Sequence, residues 1–135
     1  MRDGELGAAF RRAPVRFLGG ALLGVVLGPL LAVWNLLANR GGHDLPSGVR
    51  LRPNATLPIL PHYVAITVGS TIYVRGTPDL TSPGGARLLR HELAHVGQFR
   101  AFGWWGMCWR YGALLAACGY AQHPLEHEAR DAERT

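Results

Sequence analysis

The sequence predicts an α+β protein in which a transmembrane helix near the N-terminus precedes a small domain made of a β-hairpin and three helices. Three observations predict this arrangement. Residues 17–38 hold no charged side chain, two β-branched and aromatic runs meet at Gly69-Ser70, and an HExxH pattern begins at His91 in a stretch with helical spacing. We therefore divide the chain into an N-terminal arm (1–16), a transmembrane helix (17–38), a linker (39–61) and a domain (62–135).

The composition indicates a chain that associates with membrane lipid. Of its 135 residues 48% are hydrophobic, and its mean hydropathy is positive at +0.07. All 14 basic residues are arginine and the formal net charge is +5, but the arginines are scattered and form no stripe that would follow a phosphate backbone. We therefore expect membrane lipid, and not nucleic acid, as a partner.

Residues 17–38 are predicted to form the membrane anchor. At 1.5 Å per residue they make about 30 Å of helix, the thickness of a bilayer core. A cleaved signal peptide is the alternative, but its apolar region is usually shorter, about 7 to 15 residues, and no A-x-A site follows. More arginines precede the run than follow it closely, so the positive-inside rule leans toward a cytoplasmic N-terminus. The protein would then be single-pass, with its domain outside the cytoplasm.

Three glycines, Gly20, Gly24 and Gly28, lie on one face of the predicted anchor. Their small-xxx-small spacing lets two membrane helices approach closely, which would support a homo-oligomer. The general frequency of glycine in membrane helices is the other explanation.

Glycines and prolines punctuate residues 39–61 and indicate a linker with one short strand at 49–51. Two strands follow, at 63–68 and 71–75, and the two residues Gly69-Ser70 between them are typical of a hairpin. The hairpin either offers an edge strand to an extended peptide or simply covers the helix that follows it. The sequence allows both.

The HExxH pattern lies on the next helix. Ser82 and Pro83 suit its N-cap and its first helical position. His91 and His95 are four residues apart and share one face, so both imidazoles can reach one metal ion. Glu92 lies beside that face, where it can take a proton from water. The pattern predicts a zinc site with His91 and His95 as ligands and Glu92 as general base; a chance match on an ordinary helix is the alternative.

Residues 102–121 form another apolar stretch, and Gly103 near its start offers a stop for the HExxH helix. It is rich in tryptophan and carries Arg110 near its middle, which makes a second membrane span expensive and favours a helix that supports the HExxH helix and touches lipid. A second full span is the alternative. Cys108 and Cys118 lack metal-ligand spacing, so we expect buried thiols rather than ligands or a disulfide.

The C-terminal segment supplies candidates for a third zinc ligand, which a catalytic zinc usually has. Pro124 can begin a helix, and Glu126 and Glu128 follow in its first turns. The two acids are about 200° apart around a helix, so only one of them can point at the metal. Acids near a helix N-terminus also complement the helix dipole, which is the other explanation for either one. The next candidates are His123, His127 and Asp131.

HELAH at 91–95, followed about thirty residues later by the PLEHEA motif at 124–129, resembles the minimal gluzincins. These are small bacterial HExxH metallopeptidase-like domains whose second motif runs E-x-E-A-D or E-x-x-A-[DN]. The resemblance covers roughly residues 62–134. It implies a zincin-like domain with a zinc cofactor and Glu126 as the third ligand. Arg130 stands where related motifs often carry Asp or Asn, and Asp131 is the candidate to make that residue's contact to a ligand histidine.

Together these features predict a membrane-anchored zinc metallopeptidase acting on a peptide or protein substrate. Glu92 would take a proton from the attacking water and deliver it to the leaving amine. Candidates for stabilising the oxyanion are Tyr111, Tyr120 and His123. The alternative is a non-catalytic membrane-bound protein that keeps a zincin-like site for structure or interaction. Glu92 favours the enzyme, since a structural zinc site has no use for a base between its ligands.

Overall fold

A computed structural model gives an α+β fold with one apolar N-terminal helix and a small four-stranded sheet, and it describes residues 4–39, 41–56 and 64–135. The elements in chain order are α1 (Gly4–Arg12), α2 (Pro14–Ala38), β1 (His43–Asp44), β2 (Arg50–Arg52), β3 (Ala65–Val68), β4 (Thr71–Val74), α3 (Pro83–Cys118) and α4 (Pro124–Ala132). Tyr63, with which the first hairpin strand was expected to begin, and the expected linker residues 57–61 lie outside the described residues.

The sheet has the strand order β1-β2-β4-β3. The predicted hairpin is confirmed: β3 and β4 are antiparallel around Gly69-Ser70, with Thr67 opposite Ile72. β2 pairs with β4 in parallel, and β1 pairs with β2. The expected linker thus supplies two strands to the sheet, one of them a residue later than expected. It does so because Val49 and Leu51 are buried (1% and 5% exposed) against the hairpin and α3.

α3 begins as predicted, because the Ser82 hydroxyl accepts a hydrogen bond from a backbone N–H three residues later and Pro83 takes the first helical position. The helix is bent sharply at Gly103, whose φ of 74° lies in the left-handed region that favours glycine. We call residues 83–102 the HExxH segment and residues 104–118 the support segment.

The bend folds the support segment back onto the HExxH segment. Next to the bend, Phe99 stacks on Trp104 with ring centroids 5.5 Å apart. Further along, the rings of His95 and Tyr111 are 6.4 Å apart. The predicted support helix therefore packs against the helix that carries the histidines.

α2 packs closely along the other side of the support segment. A Cβ atom at Gly20 would collide with the carbonyl oxygen of Gly112, and one at Gly24 with that of Cys108. Only small residues allow two helix backbones to approach in this way. The glycine face of α2 therefore has a partner within the chain, and a homo-oligomer through Gly20, Gly24 and Gly28 stays a prediction.

The N-terminal arm contributes to the core instead of hanging free. Residues 4–12 form helix α1, and Ala9 is only 2% exposed. Ala9 shares a hydrophobic cluster with Phe17 of α2 and Leu125 of α4. This apolar contact explains why part of the predicted N-terminal arm forms a short helix.

α2 is, within the described ranges, the one helix that is long and apolar enough to cross a membrane. Signal sequences and buried core helices share that length and composition. Only 6% of its most apolar stretch is buried inside the protein. In the support segment, the guanidinium of Arg110 lies over the rings of Phe102 and Trp109, at 4.7 and 4.4 Å.

The two cysteines are free thiols. Cys108 is buried beside α2, and Cys118 is half-buried at the end of the support segment.

Candidate metal centre

The side chains of His91, His95 and Glu126 converge between the HExxH segment and α4. Each offers one ligand atom, and these atoms lie within 4.8 Å of one another. The two Nε2 atoms are 3.3 Å apart, and each is 3.1 Å from a carboxylate oxygen of Glu126. The three side chains form a group that could hold a metal ion.

The start of α4 aims Glu126 at the histidines. His123 is the N-cap, and its Nδ1 accepts a hydrogen bond from the backbone N–H of Leu125 at 3.2 Å. Leu125 is fully buried in the core, which fixes the rotation of the first helical turn and turns Glu126 inward. Glu128 lies elsewhere, where it accepts a hydrogen bond from Gln98 at 3.3 Å.

Gln98 determines which nitrogen of His95 faces the group. Its Nε2 donates to the carbonyl oxygen of Leu125 at 2.9 Å, so its Oε1 must be the atom that lies 2.9 Å from Nδ1 of His95. An amide oxygen only accepts, and Nδ1 therefore carries the proton. The lone pair of neutral His95 is then on Nε2 and points at Glu126.

Glu133 determines in the same way which nitrogen of His91 faces the group. Its carboxylate oxygen Oε1 lies 2.7 Å from Nδ1 of His91, and a carboxylate can only accept. Arg90 holds the backbone of Glu133 in place by donating two hydrogen bonds to its carbonyl oxygen, at 3.2 and 2.8 Å. The prediction that Asp131 contacts one of the two histidines is wrong, because Asp131 is exposed and its carboxylate lies 3.8 Å from the guanidinium of Arg134.

The group has the electrostatics of a cation site. With both Nδ1 atoms occupied, two Nε2 lone pairs face one carboxylate, an arrangement that is favourable only with positive charge between them. Burial by itself lowers the pKa of His91 and of His95, but the neighbouring acceptors and carboxylates, with Glu126 first among them, together outweigh burial and leave both pKa values raised. Burial raises the pKa of Glu126, but the facing imidazoles of His91 and His95 and the hydroxyl of Tyr111 together outweigh burial and lower it. The donor set and its orientation therefore fit a divalent metal ion.

Glu92 is buried next to the group and is held by the hairpin. It is 5% exposed, and Thr67 of β3 donates a hydrogen bond to its Oε2 at 2.6 Å. Burial raises the pKa of Glu92, and the hydrogen bond from Thr67 opposes this effect only in part. The hairpin thus contacts the HExxH segment at the predicted base, and β3 is an edge strand of the sheet.

Of the three residues considered for the oxyanion, only Tyr111 reaches the group. Its hydroxyl donates to Oε1 of Glu126 at 2.7 Å. His123 is fully buried, its Nε2 donates to the carbonyl oxygen of Tyr111 at 3.0 Å, and burial lowers its pKa to about 4. Tyr120 is 40% exposed, with the guanidinium of Arg130 5.7 Å from its ring centroid.

Sequence reasoning missed Gln98, Glu133 and Thr67. Gln98 follows His95 by three residues on the same helix, a spacing that places side chains side by side, so the sequence did carry a signal for it. Glu133 and Thr67 reach the HExxH segment only through the packing of α4 and β3, which no local pattern encodes.

Residues 32–102 match the family model of the eCIS core domain, a family of small domains associated with zincin-like and peptidase-like proteins. The match covers more than half of the chain and contains the described sheet and the HExxH segment with His91, Glu92 and His95. It ends before Glu126. None of the curated proteins and none of the solved structures matches the chain.

Proposed function

The chain belongs to the eCIS core domain family, and from this premise we propose that it is a membrane-associated zinc metallopeptidase that hydrolyses peptide bonds. Its zinc ligands would be His91, His95 and Glu126, and its general base would be Glu92. The observation that carries the proposal is that two imidazoles and the carboxylate of Glu126 converge, and that the buried Glu92 lies beside them on the helix that carries both histidines.

The donor set favours zinc over other metals. Two imidazole nitrogens and one carboxylate oxygen are a ligand set typical of catalytic zinc, which keeps a further position open. When bound, zinc supplies Lewis acidity, which lowers the pKa of water and polarises a peptide carbonyl. The chain's own contribution is to hold the ligands: Gln98 and Glu133 keep the Nε2 lone pairs of His95 and His91 directed inward.

Glu92 moves the protons in this proposal. Thr67 occupies Oε2, so we assign proton transfer to Oε1. Oε1 takes a proton from the attacking water as the new C–O bond forms, and passes it to the amine nitrogen as the C–N bond breaks. A pKa raised by burial brings this carboxylate closer to the operating pH, which suits a general base.

We further propose that α2 attaches the protein to a membrane. Its apolar stretch is exposed along most of its surface, and exposed apolar area of this extent is costly in water. A peptide or protein is the proposed substrate. The placement of the domain outside the cytoplasm was expected for a helix that crosses the membrane, and it stays a prediction for that arrangement alone.

A non-catalytic zinc-binding role is the second candidate, and the burial of the ligands favours it. Glu126 and His95 are only 3% and 7% exposed, which leaves little access for a substrate carbonyl. An apolar cleft on the opposite face of the HExxH segment, lined by Leu89, Leu93 and Val96, does not include the ligands. A protein of this kind would hold zinc to stabilise its fold and would cleave nothing.

The two candidates differ in what Glu92 does. We expect wild type and Glu92→Gln to bind one zinc per chain each, measured by mass spectrometry of the metal in the purified full-length protein, because Glu92 is not a ligand. His91→Ala should lose stoichiometric zinc. Cleavage of a peptide library should be seen with wild type and should be absent with Glu92→Gln.

Loss of zinc in a folded Glu92→Gln variant would contradict the assignment of Glu92 as base. Zinc binding by both proteins with no cleavage by either would favour the non-catalytic role.

A further inference from the structure

The outer face of α2 is a continuous apolar surface. Leu22, Val26 and Leu30 are 66%, 51% and 61% exposed, and apolar neighbours extend the surface from Leu18 to Leu37. No charged side chain interrupts it. The opposite face of the helix is covered by the support segment.

The rest of the chain lies alongside α2 over almost its whole length. Near the N-terminal end of α2, Phe17 packs with Trp109, at 6.3 Å between ring centroids, and shares its cluster with Leu125 of α4. At the C-terminal end, the side chain of Asn39 accepts a hydrogen bond from the backbone N–H of Thr56 at 2.6 Å. Phe17 and Asn39 are separated by about 33 Å along the helix.

A helix packed in this way cannot cross a bilayer without taking the domain with it. The domain contains a sheet with open edges, and such edges are not found in contact with lipid hydrocarbon. It also contains Glu92 and Glu126, which are costly at membrane depth. A single-pass arrangement, with the domain beyond the far end of the helix, would require α2 to separate from the support segment.

The N-terminal end of α2 suits a phospholipid surface. Arg11, Arg12 and Arg16 are exposed there, directly before the apolar face. Arginines at the edge of an exposed apolar helix face attract anionic headgroups, while the apolar side chains enter the boundary of the acyl chains. The charge and the apolar face therefore fit the same occupant, an anionic lipid bilayer.

We propose that α2 lies in the plane of one membrane leaflet, with its outer face in lipid and the whole domain on the same side of the membrane as the N-terminus. Gly20 of α2 contacts Gly112 of the support segment, and the neighbouring Tyr111 donates a hydrogen bond to Glu126. The metal centre then lies about one helix diameter from the lipid-facing helix. Resting on the proposed function, the substrate would be a polypeptide held at that membrane surface.

The sidedness of the N-terminus and of the sheet region tests this arrangement. In a Cys118→Ser background, Gly4→Cys and Thr77→Cys each add one exposed thiol, while Cys108 stays buried. Sealed membrane vesicles carrying the full chain are treated with an impermeant maleimide, before and after lysis with detergent. We expect both added thiols to react from the same side. Reaction from opposite sides would overturn the proposal and show that α2 spans the bilayer.

Vesicle flotation tests the occupant. The protein should bind vesicles of phosphatidylcholine with phosphatidylglycerol more tightly than vesicles of phosphatidylcholine alone. The variant Leu22→Gln/Val26→Gln should bind the anionic vesicles at least about tenfold more weakly than wild type. Leu93→Gln is the matched control, since Leu93 is 37% exposed on the HExxH segment and should leave binding unchanged.

A stable dimer in the absence of lipid that does not float with vesicles would overturn the proposal, because a second copy would then cover the apolar face. Neither experiment uses metal or cleavage, so their outcome is independent of whether the chain is a peptidase.

Discussion

Gln98 and Glu133 are the residues that orient His91 and His95 so that the Nε2 atoms of both rings face Glu126. Each accepts a hydrogen bond from Nδ1 of one ring, which fixes both the ring orientation and the nitrogen that carries the proton. We expect Gln98→Met to weaken zinc binding by about 10- to 100-fold, because the His95 ring loses this partner. Competition with a chromophoric chelator measures the affinity. Unchanged zinc affinity in a folded Gln98→Met variant would show that the contact does not orient His95.

His123, the N-cap of α4, makes the free energy of unfolding depend on pH. Its pKa is about 4 in the folded protein against an ordinary value of 6.5. Between these values the unfolded chain binds a proton that the folded chain does not, so the free energy of unfolding falls as the pH is lowered from about 6.5 toward about 4. The loss attributable to His123 is up to about 3 kcal/mol.

The measurement is chemical unfolding of metal-free protein at several pH values. His123→Asn, which keeps a side-chain acceptor for the cap, should lose less stability on acidification than wild type. His127→Gln is the control, since His127 is exposed, and it should follow wild type. A wild-type pH dependence in His123→Asn would mean that the buried imidazole is not its cause.

Part of the candidate site could be predicted from individual residues and their spacing. The HExxH spacing brings His91 and His95 to one face through helix geometry alone, and the helix start at Pro124 was visible in the sequence. The contacts of Glu133 and Tyr111 could not be predicted, because they depend on how α4 and the support segment settle against the HExxH segment. Asp131 was the sequence candidate for the contact that Glu133 makes, and nothing local separated the two.

At the level of elements, the contact between α2 and the support segment depends on the absence of side chains. Gly20 faces the Gly112 carbonyl, whereas Gly19 has no atom near the position of a Cβ. Gly20→Ala should therefore lower the free energy of unfolding by about 1 to 3 kcal/mol through overpacking. Gly19→Ala should raise it by up to about 1 kcal/mol through helix propensity.

Thermal unfolding of both variants in the same detergent makes this comparison. Equal melting temperatures for the two alanine variants would contradict the packing of α2 on the support segment.

Local signals predicted most of the elements. The Gly69-Ser70 connection, the Ser82 cap and the break at Gly103 each act within a few residues, so the hairpin, the start of α3 and its bend followed from sequence. The parallel pairing of β2 with β4 did not, because it joins strands that are distant in the chain and is held by the burial of Val49 and Leu51.

For the molecule as a whole, the central feature is that α2 is part of the domain. The sequence predicts an uncharged apolar helix, and this pattern is equally consistent with a free membrane anchor and with a helix packed against the domain. What distinguishes them is the close contact at Gly20 and Gly24 and the hydrogen bond at Asn39. These contacts hold the apolar helix α2 against the elements that carry His91, His95 and Glu126.

The claim that joins the HExxH segment to α4 is that Glu126 is the third ligand. The most direct measurement is the zinc content and affinity of wild type, Glu126→Gln and Glu128→Gln at neutral pH. We expect one zinc per chain in wild type, a severe loss in Glu126→Gln because an amide is a poor replacement for a carboxylate at a divalent ion, and little change in Glu128→Gln. Zinc loss in Glu128→Gln instead, or zinc retained at full affinity in Glu126→Gln, would contradict the site.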